Sequence, residues 1–178
     1  RKDKIVSQLT MGISGLFKAN KVTQIHGHAK IIDQNHVEVT SADSSEVHET
    51  KNIVIASGSS PINISVAEIN NKNIVDSTGA LAFESVPKKL GIIGSGVIGL
   101  ELGSVWSRLG SEVTELEAMD EFLPMADKRI ANDVLKEFNK QGLNIKLECK
   151  VTSALSENKT VTVTYENNGN LSEFKVDK

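Results

Sequence analysis

The sequence predicts an α/β fold built on a parallel β-sheet, because strand and helix patterns alternate through its centre. An apolar run at 90–93 leads directly into a glycine turn at 94–99, which reads GSGVIG. A segment with helical spacing follows as far as Leu109, and Gly110 ends it. A second strand candidate occupies 112–117. This order of strand, glycine turn, helix and strand is typical of doubly wound, Rossmann-like sheets that bind dinucleotides.

Each glycine of the turn has a separate physical task in such a fold. Gly94 makes the tight turn, Gly96 lets the backbone approach a pyrophosphate, and Gly99 lets helix and strand pack closely. Phosphates then lie on the unpaired N–H groups of the first helical turn, where the helix dipole favours negative charge. The turn therefore predicts a dinucleotide site.

Glu117 is the candidate for ribose recognition. It lies 18 positions beyond Gly99, at the end of the second strand, close to the spacing of about 20 residues at which an acid binds the adenosine ribose hydroxyls. Ala118 and Met119 follow, without an arginine for a 2′-phosphate. The pattern favours NAD over NADP. The alternative is that Glu117 is a solvated acid at a strand end.

Composition excludes several classes of function. The net charge of −3 argues against nucleic acid or an anionic membrane as partner, and no apolar run is long enough to span a bilayer. We expect a cytoplasmic protein. Cys149 is the only cysteine, which excludes an internal disulfide. The four histidines form no ligand cluster, so we expect no metal site.

The first third of the chain predicts a helix followed by short strands. Apolar residues at three- and four-residue steps predict an amphipathic helix over 2–19. Strand patterns follow at 22–25, 30–32, 37–40 and 47–50 and favour an antiparallel meander. The apolar run 53–56 is typical of a strand buried on both faces of a parallel sheet.

The remaining segments complete the unit around the glycine turn. Residues 62–78 have the composition of a linker, and 79–84 predict a short helix capped by the segment 76–78. Asp127 is a plausible cap for a helix that Gly142 ends, and 143–147 predict the third parallel strand. Alternating patterns at 151–155, 161–165 and 174–176 predict a second antiparallel meander.

Several motifs together resemble those of the pyridine nucleotide-disulfide oxidoreductases, and among them most closely the dihydrolipoamide dehydrogenases. The motifs, in chain order, are KNIVIASGS, DSTGAL, GVIGLELGSVW, the 117–118 strand end and FLPMAD. The resemblance implies an incomplete architecture of two dinucleotide-binding domains with antiparallel meander insertions. Residues 1–63 correspond to the C-terminal part of an FAD-binding domain. Residues 64–178 correspond to an NAD-binding domain that lacks its last strand.

The resemblance also implies a set of cofactor contacts. For FAD they are Ala29, at a position where the family usually has glycine, and the backbone of Ser57, Gly58 and Ser59. Glu101 corresponds to an acid that pairs with a lysine of the FAD domain near the flavin. The less favoured alternative is an exposed helix acid. Val151 falls near the adenine. The NAD contacts are Gly94, Ser95, Gly96, Val97, Ile98, Gly99, Glu101, Glu117 and Val151.

The implied function is that of a flavoprotein that reoxidises dihydrolipoamide with FAD and NAD, as a homodimer associated with 2-oxo acid dehydrogenase complexes. We expect the 178 residues to contain no catalytic residue and to be inactive alone, because the family's redox cysteine pair and catalytic histidine are not among them. One alternative is another flavoprotein of the group, such as a mercuric reductase, an NADH oxidase or a soluble transhydrogenase. The other is an independent NAD-binding module that acts as a redox sensor.

Glu115 departs from the family pattern, which has an apolar residue such as valine at this position of the strand. A carboxylate buried without a partner costs several kcal/mol or takes up a proton. Two alternatives therefore remain open: the strand is partly exposed at Glu115, or the residue weakens the fold.

Overall fold

The structure, a computed structural model, describes all 178 residues and divides them into two compact units, Arg1–Gly58 and Ser59–Lys178. This division lies five residues before the boundary at 63/64 that the family resemblance implies. None of the helices combines the length and the apolar character needed to cross a bilayer.

The first unit contains the predicted helix and a three-stranded meander. Helix α1 spans Lys2–Ala19, and the strands β1 (His28–Ile31), β2 (His36–Thr40) and β3 (Ser45–Glu49) pair antiparallel in that order. The strand predicted at 22–25 is wrong, because these residues form no strand. Two of these four residues, Val22 and Ile25, are apolar and β-branched, which favours a strand, but no strand of the structure pairs with the segment.

The strand predicted at 53–56 is also wrong. The segment carries no strand hydrogen bonds, and Val54 and Ile55 are 87% and 75% exposed. A buried parallel strand needs a partner on each side for its backbone groups. No strand of either unit pairs with this segment, so its apolar composition alone does not make it a strand.

The second unit is built on the predicted parallel sheet, which confirms the Rossmann-like α/β class. After the short helix α2 (Ser77–Ala80), the chain forms β4 (Lys89–Ile93), α3 (Val97–Arg108), β5 (Glu112–Leu116), α4 (Lys128–Lys140) and β6 (Asn144–Lys146). The strands are parallel in the order β4-β5-β6, with each helix as a crossover.

The second meander follows the parallel sheet. It comprises β7 (Lys150–Glu157), β8 (Thr160–Asn167) and β9 (Asn170–Val176), paired antiparallel in that order. Its end returns to the parallel sheet, because the Asp177 N–H donates to the Lys89 carbonyl at 2.9 Å and the Gly91 N–H donates to the Lys178 carbonyl at 3.0 Å. Residues 177–178 therefore lie along part of the outer edge of β4.

Three apolar clusters hold the second unit together. The first joins α3 to the sheet through Leu90, Trp106 and Val113. The second joins α3, α4 and β6, so both crossover helices contribute to one layer. The third packs the meander against the end of β5 and the segment around Ala67.

The side chain of Asp127 caps α4 as predicted, accepting from the N–H groups of Arg129 and Ile130.

Candidate functional site

The glycine turn connects the end of β4 to the start of α3 and closes onto the end of β5. Gly94 has a φ of +94°, a left-handed conformation that favours glycine. Its N–H donates to the Leu116 carbonyl at 2.8 Å. The turn is thereby fixed next to the carboxyl ends of two neighbouring strands, the place where open α/β sheets bind ligands.

The two glycines on the inner face of α3 allow the helix to approach the sheet closely. A Cβ on Gly99 would collide with the Gly94 carbonyl oxygen and would come within 3.3 Å of Ile92 Cγ2. A Cβ on Gly103 would collide with the Glu115 carboxylate. The packing function predicted for Gly99 is thus visible in the geometry, and Gly103 has a comparable one.

The outer side of the turn, in contrast, is open. A Cβ on Gly94 or Gly96 would meet no atom within 4 Å, so a ligand can approach the backbone at both positions. Helix α3 starts after Gly96 without a side-chain cap, whereas aspartates cap α2 and α4. The first N–H groups of α3 therefore have no partner within the helix and remain available to an anion.

Glu117 lies beside this turn and bonds to it. One carboxylate oxygen, Oε2, accepts from the Ser95 N–H at 3.0 Å, and the other, Oε1, accepts from the Met119 N–H at 3.0 Å. The Glu117 backbone is also fixed, because its carbonyl accepts from the Cys149 N–H at 2.8 Å. The carboxylate is therefore held at the strand end, next to the turn.

Ser95 is the most buried residue of the turn. It is 2% exposed, and its hydroxyl oxygen has no hydrogen-bond partner in the protein. Buried hydroxyls are nearly always hydrogen-bonded. The turn thus combines an unpaired buried hydroxyl, open glycine backbone and uncapped helix donors, and these features fit a phosphate-bearing ligand such as NAD.

The remaining predicted NAD contacts occupy different environments. Val97 and Ile98 are exposed in the first turn of α3, and Glu101 is exposed one turn further along. Val151 is 8% exposed and belongs to the meander core. It follows the point where Cys149 bonds to the Glu117 backbone, so the start of β7 lies beside the end of β5. A contact between Val151 and adenine stays a prediction.

The predicted FAD contacts lie in exposed segments. Ala29 is exposed in the middle of β1, opposite Val39. Ser57 and Gly58 are exposed at the end of the first unit, where Gly58 has a φ of +73°, and Ser59 begins the second unit. The left-handed Gly58 fits a tight backbone turn, and the flavin contacts stay predictions.

An apolar cavity of about 670 Å³ adjoins the glycine turn within the second unit. Its walls include Gly94, Gly96 and Ile98 beside the turn, and Ile93 and Val176 along the sheet. It is large enough for a cofactor-sized group. An apolar wall of this kind fits a ring system better than a charged group.

Glu115 is completely buried on the central strand. It is 0% exposed, and neither carboxylate oxygen has a hydrogen-bond partner. Burial raises the pKa of its carboxyl to about 7. Of the two alternatives that the sequence left open, partial exposure is therefore wrong, and Glu115 is an unpaired carboxyl beneath α3.

Sequence reasoning missed the two backbone partners of Glu117. The spacing marked this residue for ribose recognition but gave no sign that it also binds the turn. The short loop after β5 could have revealed one of these contacts, because Met119 follows Glu117 by only two positions in the sequence.

The match to known proteins extends over the whole chain. The family model described as pyridine nucleotide-disulphide oxidoreductase matches residues 2–178. The mitochondrial dihydrolipoyl dehydrogenase of Dictyostelium discoideum is 52% identical over 170 residues, which cover 94% of this chain and 35% of that protein. The dihydrolipoyl dehydrogenase of Cupriavidus necator is 42% identical over 179 residues, which cover 100% of this chain and 38% of that protein.

A solved structure shares the fold. It is the copper(II) complex of a mutant of the HOCl-induced flavoprotein disulfide reductase RclA from Escherichia coli, with a TM-score of 0.84 and 29% identity. The superposition covers 99% of this chain and 40% of that one. The chain therefore spans between a third and two fifths of the length of these proteins.

Proposed function

The chain belongs to the pyridine nucleotide-disulphide oxidoreductase family, and we propose that its second unit binds NAD(H) on the glycine turn at 94–99. One observation carries the proposal. The open backbone at Gly94 and Gly96, the uncapped start of α3 and the Glu117 carboxylate lie together at the carboxyl end of the parallel sheet. This combination provides donors for a pyrophosphate beside an acceptor for ribose hydroxyls.

Each group has a defined part in binding. The N–H groups at the start of α3 hold the pyrophosphate, and the absence of side chains at Gly94 and Gly96 lets it approach. The Glu117 carboxylate accepts hydrogen bonds from the adenosine ribose hydroxyls, and its charge repels a 2′-phosphate. The nicotinamide ring of NAD supplies the hydride chemistry. The apolar cavity beside Ile98 offers an apolar wall for a ring.

For the whole protein we propose a flavoprotein that reoxidises dihydrolipoamide with FAD and NAD. The support is the similarity to dihydrolipoyl dehydrogenases at 52% and 42% identity. By analogy with that class, it works as a homodimer with 2-oxo acid dehydrogenase complexes. Relatives named as mitochondrial occur among the matches, so a cytoplasmic location stays a prediction.

The 178 residues by themselves are proposed to be inactive toward dihydrolipoamide. Exchange between a disulfide and a dithiol needs a second thiol to resolve the mixed disulfide. Cys149 is the only cysteine, and it is buried with Asn167 Nδ2 at 3.4 Å from its Sγ. The redox cysteines would have to lie outside these residues.

The second candidate is another flavoprotein reductase that uses the same nucleotide site. The structural match to RclA favours it, as does 44% identity to the leghemoglobin reductase of Glycine max. An independent NAD-binding sensor module makes the same binding prediction. Reduction of NAD by dihydrolipoamide, assayed with the full-length protein, separates these proposals, because only a dihydrolipoamide dehydrogenase is expected to catalyse it.

The nucleotide proposal predicts selective binding of NADH by the 178-residue chain. NADH should bind about tenfold or more tightly than NADPH, a ratio that corresponds to roughly one charged hydrogen bond at Glu117.

Gly96→Ala should fold normally, because a Cβ there meets no atom within 4 Å, yet it should lose most NADH affinity. NADH fluorescence titrations measure both effects.

Gly12→Ala provides the matched control. Gly12 is another helix-associated glycine with free space around it, but it lies in the first unit. Its NADH affinity should equal that of the wild type. Equal binding of NADH and NADPH, or unchanged NADH affinity in Gly96→Ala, would show that the nucleotide site has been misplaced.

A further inference from the structure

We propose that Glu117 is also a positioning residue, whose carboxylate braces the glycine turn before any nucleotide binds. The role of the brace in nucleotide binding rests on the proposed function. The two hydrogen bonds of the brace can be tested without a ligand. It assigns to Glu117 a task that is separate from ribose recognition.

The brace consists of two backbone hydrogen bonds to one carboxylate. Oε2 accepts from Ser95 in the turn, and Oε1 accepts from Met119 in the loop after β5, both at 3.0 Å. The Ser95 residue is 2% exposed, so few other acceptors can reach its N–H. Without Glu117, this buried donor loses its partner, which costs more than the loss of an exposed hydrogen bond.

The brace complements the other contact of the turn. The Gly94 N–H is bound to the Leu116 carbonyl at 2.8 Å, so adjacent residues of the turn are held by adjacent residues of the β5 end. Together these bonds fix the backbone just before Gly96, from which α3 starts. The direction of the free N–H groups of α3 therefore depends on Glu117.

Only a carboxylate at this position can satisfy both donors. A carboxylate offers two acceptor oxygens, whereas the amide of glutamine offers one acceptor and two donors. Glu117→Gln thus retains one of the two bonds, and Glu117→Ala retains neither. Arginine has only donors, so charge reversal at this position also removes the brace and would not by itself yield efficient NADPH binding.

Amide hydrogen exchange in the absence of nucleotide tests the brace directly. The Met119 amide is the most informative probe, because its residue is otherwise exposed. Glu117→Ala should accelerate exchange at Ser95 and Met119 by about tenfold or more, and Glu117→Gln by less. Asp120→Ala, which removes a nearby exposed acid that makes no hydrogen bond, should leave both rates unchanged.

A nucleotide analogue separates the brace from ribose recognition. We would compare NADH with an NADH analogue whose adenosine ribose lacks both hydroxyls. If Glu117 acts only on the ribose, Glu117→Ala has no effect on analogue affinity. The brace predicts that Glu117→Ala still weakens analogue binding severalfold, with Glu117→Gln intermediate.

The outcomes distinguish this inference from the proposed function. Unchanged exchange at both amides in Glu117→Ala and Glu117→Gln, or an analogue affinity that is insensitive to both changes, overturns the brace. If the wild type binds no NADH, the proposed function fails, and the exchange rates alone then decide whether the brace exists. If Glu117→Ala does not fold, Glu117→Gln supplies the same comparisons.

Discussion

Glu115→Val is expected to raise the free energy of unfolding of the second unit by about 3 kcal/mol at pH 8. The wild-type carboxylate is 0% exposed and lacks any hydrogen-bond partner, so its ionised form is destabilising in the folded state. Valine removes the charge and leaves an apolar side chain between the sheet and α3.

The effect should depend on pH in a defined direction. The folded-state pKa of Glu115 is about 7, above the ordinary value of 4.5, so the folded state binds the proton more tightly. Its contribution to stability is greatest below pH 4.5, falls as pH rises from 4.5 to 7 and reaches its minimum above 7. The shift corresponds to about 3 kcal/mol between these limits.

Denaturant unfolding at pH 5 and pH 8 measures this prediction. The advantage of Glu115→Val over the wild type should be smaller at pH 5 than at pH 8, because at pH 5 the buried carboxyl is protonated and only its unpaired polar atoms are unfavourable. Glu115→Gln is the matched control, because a neutral amide removes the titration but leaves unpaired polar atoms, so it should gain less stability than valine. An advantage that is equal at both pH values would show that Glu115 does not titrate in this range.

Gly99→Ala is expected to be the most damaging single-methyl change in the protein. The added Cβ would overlap the Gly94 carbonyl oxygen, a backbone atom that cannot rotate away. Overpacking of this kind typically costs about 1–3 kcal/mol, and more where the backbone must shift. The strain also falls on the glycine turn, so NADH binding should be lost together with stability.

Thermal unfolding, followed by NADH titration of the folded protein, checks this expectation. Gly96→Ala is the matched control, since the same methyl group three residues earlier in the chain meets no atom within 4 Å. Gly96→Ala should lose affinity without losing stability. A Gly99→Ala protein with wild-type melting temperature and wild-type affinity would mean that α3 does not pack on the turn as described.

Local patterns were sufficient to predict most elements of both units. The apolar spacing of 2–19, the glycine stops after α3 and α4 and the Asp127 cap are short-range signals, and the structure confirms each of the corresponding helices. The three parallel strands were also predicted within one or two residues. Such segments are predictable because their periodicity, caps and neighbours agree.

The short helix predicted at 79–84 lies at Ser77–Ala80 instead, and residues 81–84 are not helical. The two strand errors concern segments whose state depends on distant partners. Residues 53–56 have the composition of a buried strand, but a strand exists only where another strand satisfies its backbone. The same reason applies to residues 22–25. Apolar composition reports a tendency to be buried, and it does not report whether a pairing strand is available.

Within the candidate site, the sequence predicted an acid beside the glycine turn but not the hydrogen bonds that this acid makes. The spacing from Gly99 to Glu117 predicted an acid beside the turn. The turn follows β4 and Glu117 follows β5, so they lie at the carboxyl ends of adjacent strands. The spacing gave no sign of the hydrogen bonds from Ser95 and Met119, which depend on the loop conformation after β5. It also left the burial of Glu115 undecided, because burial depends on how closely Gly103 lets α3 approach.

The most direct measurement of the central claim is a backbone amide NMR titration of the 178-residue chain with NADH. We predict saturable shifts concentrated at 94–99 and 117–119, with the largest changes at the start of α3. The first unit, residues 1–58, should show little change. No saturable shift at millimolar NADH, or shifts that leave 94–99 and 117–119 unaffected, would contradict the assignment of this turn as the nucleotide site.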